Sequence, residues 1–136
     1  MNTLTIFVLV IAMCVGLNEA GCAHNRVEIH NQLGPGEYLE ISCGGPTRTV
    51  MHTLQFNDPP LVITFHDVGW PHITKWKCQL MHGFNLATYY DVQVYRSVSA
   101  IKKCGQFRSW IAKPDGIWFT RDHRKPAGKA LDWKKR

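Results

Sequence analysis

Apolar and polar residues alternate along several short stretches of this chain, and a period of two is the mark of a half-buried β-strand. The alternation is clearest in residues 74–80, where Trp76, Cys78 and Leu80 share one face and polar residues separate them. Residues 27–30 and 38–43 alternate in the same way. No stretch has the spacing of a long amphipathic helix, so the pattern predicts a protein built from strands.

A strand–turn–strand unit is predicted between residues 107 and 120. Residues 107–112 are short, apolar and aromatic, with Trp110 in the middle. The turn that follows contains Pro114 and Gly116; proline fixes φ at the first corner, and glycine accepts a positive φ where the next strand begins. Because two strands alone are marginally stable in water, we expect a second sheet to cover this hairpin.

Further strands are predicted at residues 47–56, 61–65 and 90–94, with turn signals between them. The pieces at 27–30 and 38–43 are expected to pair as a hairpin, because a Gly-Pro-Gly turn separates them. About eight short strands with frequent turns predict an all-β fold, an antiparallel β-sandwich braced by disulfides.

The N-terminus has the composition of a secretory signal. Residues 4–15 are apolar except for Thr5, too few for a membrane span, and small residues follow. We predict a signal peptide over residues 1–20 and a domain over 21–136, with cleavage after Ala23 as the alternative. Cleavage after Ala20 is favoured because it retains Cys22 and leaves an even number of cysteines. The remaining chain has no run long enough to cross a membrane, so a secreted protein is expected.

Four cysteines follow the predicted signal peptide, and four cysteines in a small secreted chain suggest two bridges with three possible pairings. In the expected 27–43 hairpin, Cys22 lies near Cys43, so this pair is geometrically reasonable. Cys78 and Cys104 are then expected to form the second pair. The spacings do not resemble a zinc site, and no metal or cofactor is expected.

The chain carries a net charge of +6, and seven of its sixteen lysines and arginines lie in residues 121–136. A basic segment can attract nucleic acid, an anionic membrane or an acidic receptor surface, or it can serve solubility alone. Nucleic-acid binding would use exposed bases interleaved with aromatic rings. That pattern is present only weakly, in residues 121–125 with Trp118 and Trp133, so no nucleic-acid partner is expected.

Seven histidines invite an enzymatic interpretation. His66 and Asp67 could act as base and orienting carboxylate, with Ser97 or Ser99 as nucleophile. Nothing in the sequence brings these residues together, and His66 lies at a strand end, where solvated polar residues are normal. We therefore predict that the protein is not an enzyme.

The order and spacing of several residues resemble the plant self-incompatibility S1 family, the S-protein homologues. The residues that carry the resemblance are Val27, Ile29, Asn31, Leu33, Leu39, Ile41, Ser42, Cys43, Thr74, Trp76, Cys78, Lys103, Cys104, Trp110, Asp115, Gly116 and Trp133. The resemblance implies a secreted β-sandwich that acts as an extracellular recognition ligand, which in self-incompatibility members meets a pollen receptor and arrests self pollen. The alternative from another class is a cationic defence protein that acts on microbial surfaces.

The chain departs from the family pattern in two places. Residues 49–52 occupy the region where members usually carry an acidic Asp-Leu-Gly segment. The late cysteine that members usually carry near the terminal tryptophan is absent beside Trp133, and Cys22 is extra. The second departure implies that one bridge has moved or that Cys43 is free.

Recognition is expected on loops, because core packing uses the strands while loops are free to vary. The candidate loops are residues 44–48, 67–72 and 97–103. The last contains Lys102 and Lys103 beside Cys104, so these two lysines are the predicted partner-binding residues. The predicted partner is a cell-surface receptor protein, and the protein itself is expected to be a monomer.

Overall fold

A computed structural model describes residues 21–69, 71–98 and 100–136. The predicted signal peptide lies outside these residues, and its cleavage point stays a prediction. In the part of the chain that is described, no helix is long and apolar enough to cross a membrane.

Two five-stranded sheets pack face to face. The first sheet has the order β4-β1-β7-β8-β9 and the second the order β10-β6-β5-β2-β3. The strands are β1 (Asn25–Asn31), β2 (Leu39–Gly44), β3 (Thr49–Leu54), β4 (Leu61–Phe65), β5 (Thr74–His82), β6 (Thr88–Ser97), β7 (Phe107–Lys113), β8 (Gly116–Thr120), β9 (Gly128–Leu131) and β10 (Lys134–Lys135). The predicted β-sandwich is confirmed. All of its strand pairs are antiparallel except β1 with β7, which are parallel.

The core lies between the sheets and takes the apolar side of each strand. In β5 the faces are as predicted, with Trp76, Cys78 and Leu80 at most 1% exposed and the alternate residues more accessible. Trp110 of β7 faces the same core and is also buried. Because side chains alternate across a strand, one apolar face per strand suffices to fill the space between two sheets.

The β7–β8 hairpin forms as predicted, with Lys113 opposite Gly116 across the turn. Gly116 has a φ of 152°, in the region that favours glycine. A Cβ atom at this position would collide with the carbonyl oxygen of Leu131 on β9. Glycine is therefore required both for the turn and for the close approach of the edge strand.

The predicted hairpin of residues 27–30 with 38–43 is wrong. β1 pairs with β4 and β7, whereas β2 pairs with β3 and β5, so the chain crosses from one sheet to the other between them. Asn31 builds this crossing: its buried amide donates to the carbonyl oxygens of Glu37 and Leu54 and accepts from the Leu33 amide. The backbone groups of β1 and β2 find their partners in these other strands, while the Asn31 side chain satisfies backbone groups of the crossing itself and of Leu54.

The predicted disulfides are also wrong. The bridges are Cys43–Cys78 and Cys22–Cys104, not Cys22–Cys43 and Cys78–Cys104. Cys43 and Cys78 lie directly opposite each other on the paired strands β2 and β5. The parallel pairing of β1 with β7 brings the segments that precede these strands to the same end, where Cys22 and Cys104 meet.

Candidate functional site

One end of the sandwich collects all three loops in which recognition was predicted. We call this the basic end: among the described residues it comprises 21–24, 44–48, 66–69, 71–73, 98, 100–106 and 121–127. The strand register fixes this arrangement, since Asn25 pairs with Phe65, Arg26 with Phe107 and Thr74 with Ser97. These loops hold two acids and six lysines and arginines: Asp67, Asp122, Arg48, Lys102, Lys103, Arg121, Arg124 and Lys125.

A buried carboxylate anchors the central loop of the basic end. Asp67 is 4% exposed, and its Oδ1 accepts hydrogen bonds from Asn25 Nδ2 at 2.9 Å and the Tyr95 hydroxyl at 2.8 Å. Its Oδ2 accepts from the backbone amide of Lys103 at 2.9 Å. Asn25, fully buried, also donates to the Lys103 carbonyl and accepts from the amide of Gln106. Residues 103–106 are therefore held by buried side chains of other segments.

Tyr95 is a dependable donor in this network. Burial first, and then the hydrogen bond and negative charge of Asp67, raise the pKa of Tyr95 above its usual range. The phenol therefore keeps its proton at any physiological pH and remains able to donate to the carboxylate.

The Cys22–Cys104 bridge is a second anchor for the same loop. Beside it, the Gly105 amide donates to the Ala23 carbonyl at 3.0 Å. The Lys102 side chain lies over Gly69, where an added Cβ would be 2.9 Å from the lysine Cε. The loop that contains Lys102 is thus tied to residues 22–23 by covalent and hydrogen-bonded contacts, and to the loop that contains Gly69 by packing.

Lys102 and Lys103 are both exposed, and neither ammonium group has an ion-pair partner among the residues that the structure describes. They line a cavity of about 390 Å³ together with Cys22, His66 and Asp67. The predicted partner-binding lysines therefore project from a fixed loop into solvent.

Exposed apolar residues lie beside these lysines. Ile73 immediately precedes β5 and Val98 immediately follows β6, next to the Thr74–Ser97 pair, and they are 49% and 61% exposed. Ile101 lies in the same loop as the lysines and is 79% exposed. Apolar residues bordered by cations give this end the composition of a protein-binding surface.

Among the residues that the structure describes, which do not include Ser99, the hydrolase arrangement considered from the sequence is not assembled. Asp67 points into the network of Asn25, Tyr95 and Lys103, whereas His66 is exposed and stacks on His24 with ring centroids 4.0 Å apart. The carboxylate therefore cannot orient His66 as a base. Within the described ranges, no group of three or more histidines, cysteines or acids is placed to hold a metal ion.

A second cavity, of about 260 Å³, lies at the opposite end of the sandwich and is lined in part by Glu37, His82 and Thr88. The Nε2 atom of His82 is buried there without a hydrogen-bond partner in the described part of the chain. Burial lowers the pKa of His82, although the charge of Glu37 opposes this effect. The His82 and Trp133 rings pack edge to face, with centroids 4.4 Å apart.

Lowering the pH from about 7.5 to about 5 is expected to lower the free energy of unfolding through His82. The folded state holds the pKa of His82 below its unfolded value, so the unfolded chain binds more protons as the pH falls through that unfolded value. Unfolding curves of wild type and His82→Gln at both pH values measure the effect. The variant should lose less stability than wild type over this interval, and an equal loss would contradict the assignment.

Comparison with known proteins gives a consistent match. The model of the family described as plant self-incompatibility protein S1 matches residues 26–133. Two Arabidopsis thaliana proteins are similar over nearly their whole length: S-protein homolog 25, 40% identical with 99% of both chains covered, and S-protein homolog 30, 42% identical with 93% of this chain and 99% of the relative covered.

A solved structure of a self-incompatibility protein homologue superposes with a TM-score of 0.68 at 27% identity, covering 85% of this chain and 99% of the other. It represents a widespread group of small, highly stable, secreted plant proteins. The fold, the family match and the near full-length relatives agree, so this chain belongs to the plant self-incompatibility protein S1 family, the secreted S-protein homologues.

Proposed function

We propose that this protein is a non-catalytic, monomeric recognition ligand that binds a cell-surface receptor protein through its basic end. The observation that carries the proposal is the fixed loop around Lys102 and Lys103, which Asp67 and the Cys22–Cys104 bridge hold in place while both ammonium groups stay exposed. A loop that is ordered before binding loses little conformational freedom when a partner docks.

The chemistry of this end supports a protein partner with an acidic rim. The exposed Ile73, Val98 and Ile101 supply apolar area to bury, and the adjacent lysines supply long-range attraction. Apolar centres with charged rims are the usual anatomy of interfaces, and the charges mainly raise the association rate. Within this family, the proposed role is of the self-incompatibility type, in which the receptor is displayed by pollen and its engagement rejects self pollen.

The double variant Lys102→Glu with Lys103→Glu is expected to fold normally and to associate with its receptor at least several-fold more slowly at low salt. Both side chains are exposed, so the free energy of unfolding should change by less than about 1 kcal/mol. Association of labelled protein with wall-free plant cells, at low and high ionic strength, gives the rate. The salt dependence should weaken in the variant, because two steering charges are reversed.

The matched control is Lys134→Glu with Lys135→Glu, which makes the same charge change on the far end of the sandwich. Its association rate should stay much closer to that of wild type. Treating the cells with protease beforehand should abolish binding if the receptor is a protein. Equal slowing by both double variants, or binding that survives protease, would contradict the proposal.

A further inference from the structure

We propose that the side of the sandwich formed by β9 and β10 binds a linear acidic polysaccharide, a chain of uronic acids. This site shares residues 121–125 with the basic end, but it is otherwise separate from the receptor surface around Lys102 and Lys103 and does not depend on it. The site accounts for the seven lysines and arginines of residues 121–136, four of which lie outside the basic end.

The β9 and β10 strands are edges of different sheets that lie on the same side of the sandwich. Only residues 132 and 133 connect them, so the chain steps directly from one edge to the other. We call this the basic side, and eight lysines and arginines lie along it: Lys113, Arg121, Arg124, Lys125, Lys129, Lys134, Lys135 and Arg136.

Few acids oppose these cations. Asp122 lies 3.7 Å from Arg124, and Asp132 lies 2.6 Å from Lys129. The third nearby acid, Asp115, accepts a hydrogen bond from the Trp118 indole. The other six cations of the basic side have no ion-pair partner among the residues described, so the side keeps a clear excess of positive charge.

The opposite side of the sandwich differs in the charge of its edge strands. Its edges are β3 and β4, and neither strand contains a lysine, arginine, aspartate or glutamate. Cations kept for solubility would have no reason to avoid one pair of edges and line the other. One cation, Arg48, directly precedes β3 and donates to the Thr64 carbonyl of β4. The eight cations of the basic side therefore concentrate the positive potential there.

The cations follow the length of the sandwich. β9 begins with Gly128 beside Phe119 and ends with Leu131 beside Ile117, so it runs from the basic end towards the opposite end. Residues 121–125 precede it and residues 134–136 follow it. The row is at least about 15 Å long, since the five-residue strand β8 beside it spans that distance. An extended polymer fits such a row better than a compact anion does.

The far end of the row is held in regular structure. Lys134 pairs with Tyr89 and Lys135 with Thr88, and the Arg136 amide donates to the Ala87 carbonyl at 2.8 Å. Backbone pairing fixes the spacing of these cations, which lowers the conformational cost of binding.

Aromatic rings along the basic side distinguish the polymer class. Lys113 Nζ lies 4.1 Å from the Trp118 centroid, Lys134 Nζ lies 5.2 Å from that of Tyr90, and the Arg136 guanidinium lies 4.6 Å from that of Tyr89. Nucleic acid would use such rings as stacking platforms for its bases, but cations already cover a face of each. The side therefore presents charge rather than free ring faces, which suits a carboxylate polymer, and a secreted plant protein meets acidic polysaccharides outside the cell.

The test uses the full secreted protein and oligogalacturonates of increasing length, with methyl-esterified oligomers as the uncharged control. Lys134→Gln with Lys135→Gln is expected to weaken binding at low salt roughly three- to tenfold, with a smaller slope of log affinity against log salt. Arg124→Gln with Lys125→Gln should do the same at the other end of the row. Affinity should rise with oligomer length until both clusters are spanned.

The matched control is Lys75→Gln with Lys77→Gln, which removes two exposed lysines from the outer face of β5. It should bind like wild type. Equal weakening by this control, equal binding of methyl-esterified oligomers, or tighter binding of polyglutamate or of single-stranded oligonucleotide than of oligogalacturonate would each overturn the proposal. Receptor association on wall-free cells is read separately, so its failure would not affect this result.

Discussion

Replacing Trp110 by alanine is expected to lower the free energy of unfolding by about 3–5 kcal/mol, the usual cost of removing a large aromatic side chain from a core. Trp110 is 9% exposed and packs against Phe119 with ring centroids 4.4 Å apart. The truncation would leave a cavity between the sheets that rigid strands cannot close.

A hydrogen bond between the sheets adds to this cost. The Trp110 indole donates to the Val94 carbonyl oxygen on β6 at 3.1 Å. Val94 lies at a β-bulge: Trp76 pairs with Tyr95 and Lys77 with Gln93, so the β5–β6 register skips it. Trp110 therefore binds an irregular point of the opposite sheet as well as filling the core.

Chemical denaturation of the purified variants measures the effect. Trp110→Phe should fall between alanine and wild type, because it keeps most of the packing and loses the hydrogen bond. Trp118→Ala is the control, since this half-buried ring lies on the outer face of the same hairpin, under Lys113. Trp118→Ala should lower the free energy of unfolding by well under half as much as Trp110→Ala does. A Trp110→Ala curve that overlays wild type would show that the ring does not support the core.

The period of apolar residues predicted which way the regularly alternating strands face, but not which strand lies beside each of them. β5 is an example, because its orientation was predicted and its neighbours were not. The alternation around Trp76 and Cys78 placed the core face correctly, whereas the partner of Cys78 depended on the neighbour of β5 in the sheet. Any two strands with one apolar face can pair, so periodicity leaves sheet order open.

The sequence predicted the structure best where the backbone conformation depends on neighbouring residues alone. The turn at Pro114 and Gly116 was predictable because both residues restrict or extend φ in a specific way. β9 and β10 were not predictable, because they are short, lack alternation and exist through pairing with β8 and β6. Their positions depend on contacts between residues that are far apart in the sequence, and a local pattern does not reveal such contacts.

The buried network of the basic end had almost no sequence signal. Asn25, Asp67, Tyr95 and Lys103 come from four separate segments, and nothing marks them as neighbours. One clue was available: adjacent residues in an extended segment point in opposite directions. His66 and Asp67 were therefore poor candidates for a base and its orienting carboxylate, because their side chains diverge in extended backbone.

Replacing Asp67 by alanine is expected to lower the free energy of unfolding by roughly 2–5 kcal/mol, from donors left without an acceptor, and to release the loop that contains Lys102 and Lys103. The carboxylate accepts three hydrogen bonds from buried or partly buried donors. Its removal leaves the Asn25 amide and the Tyr95 hydroxyl without their shared acceptor, in a site that water reaches poorly. Asp67→Asn should also be destabilising. Its side-chain NH2 group would replace one carboxylate oxygen and would face a group that now donates to that oxygen, so at least one hydrogen bond would be lost.

Two measurements separate loop release from general loss of stability. Hydrogen exchange at the Lys103 amide should accelerate far more than exchange in the centre of β5, because that amide loses its acceptor while the β5 ladder stays intact. Asp122→Ala is the matched control, since Asp122 caps an outer turn of the same end through the Arg124 amide and should leave Lys103 protected. If the lysines act only through their charge, receptor association should persist in Asp67→Ala at a temperature where the variant is folded. If a fixed loop is what the receptor recognises, association should fall with Lys102 and Lys103 still present, and the proposed function requires this second outcome.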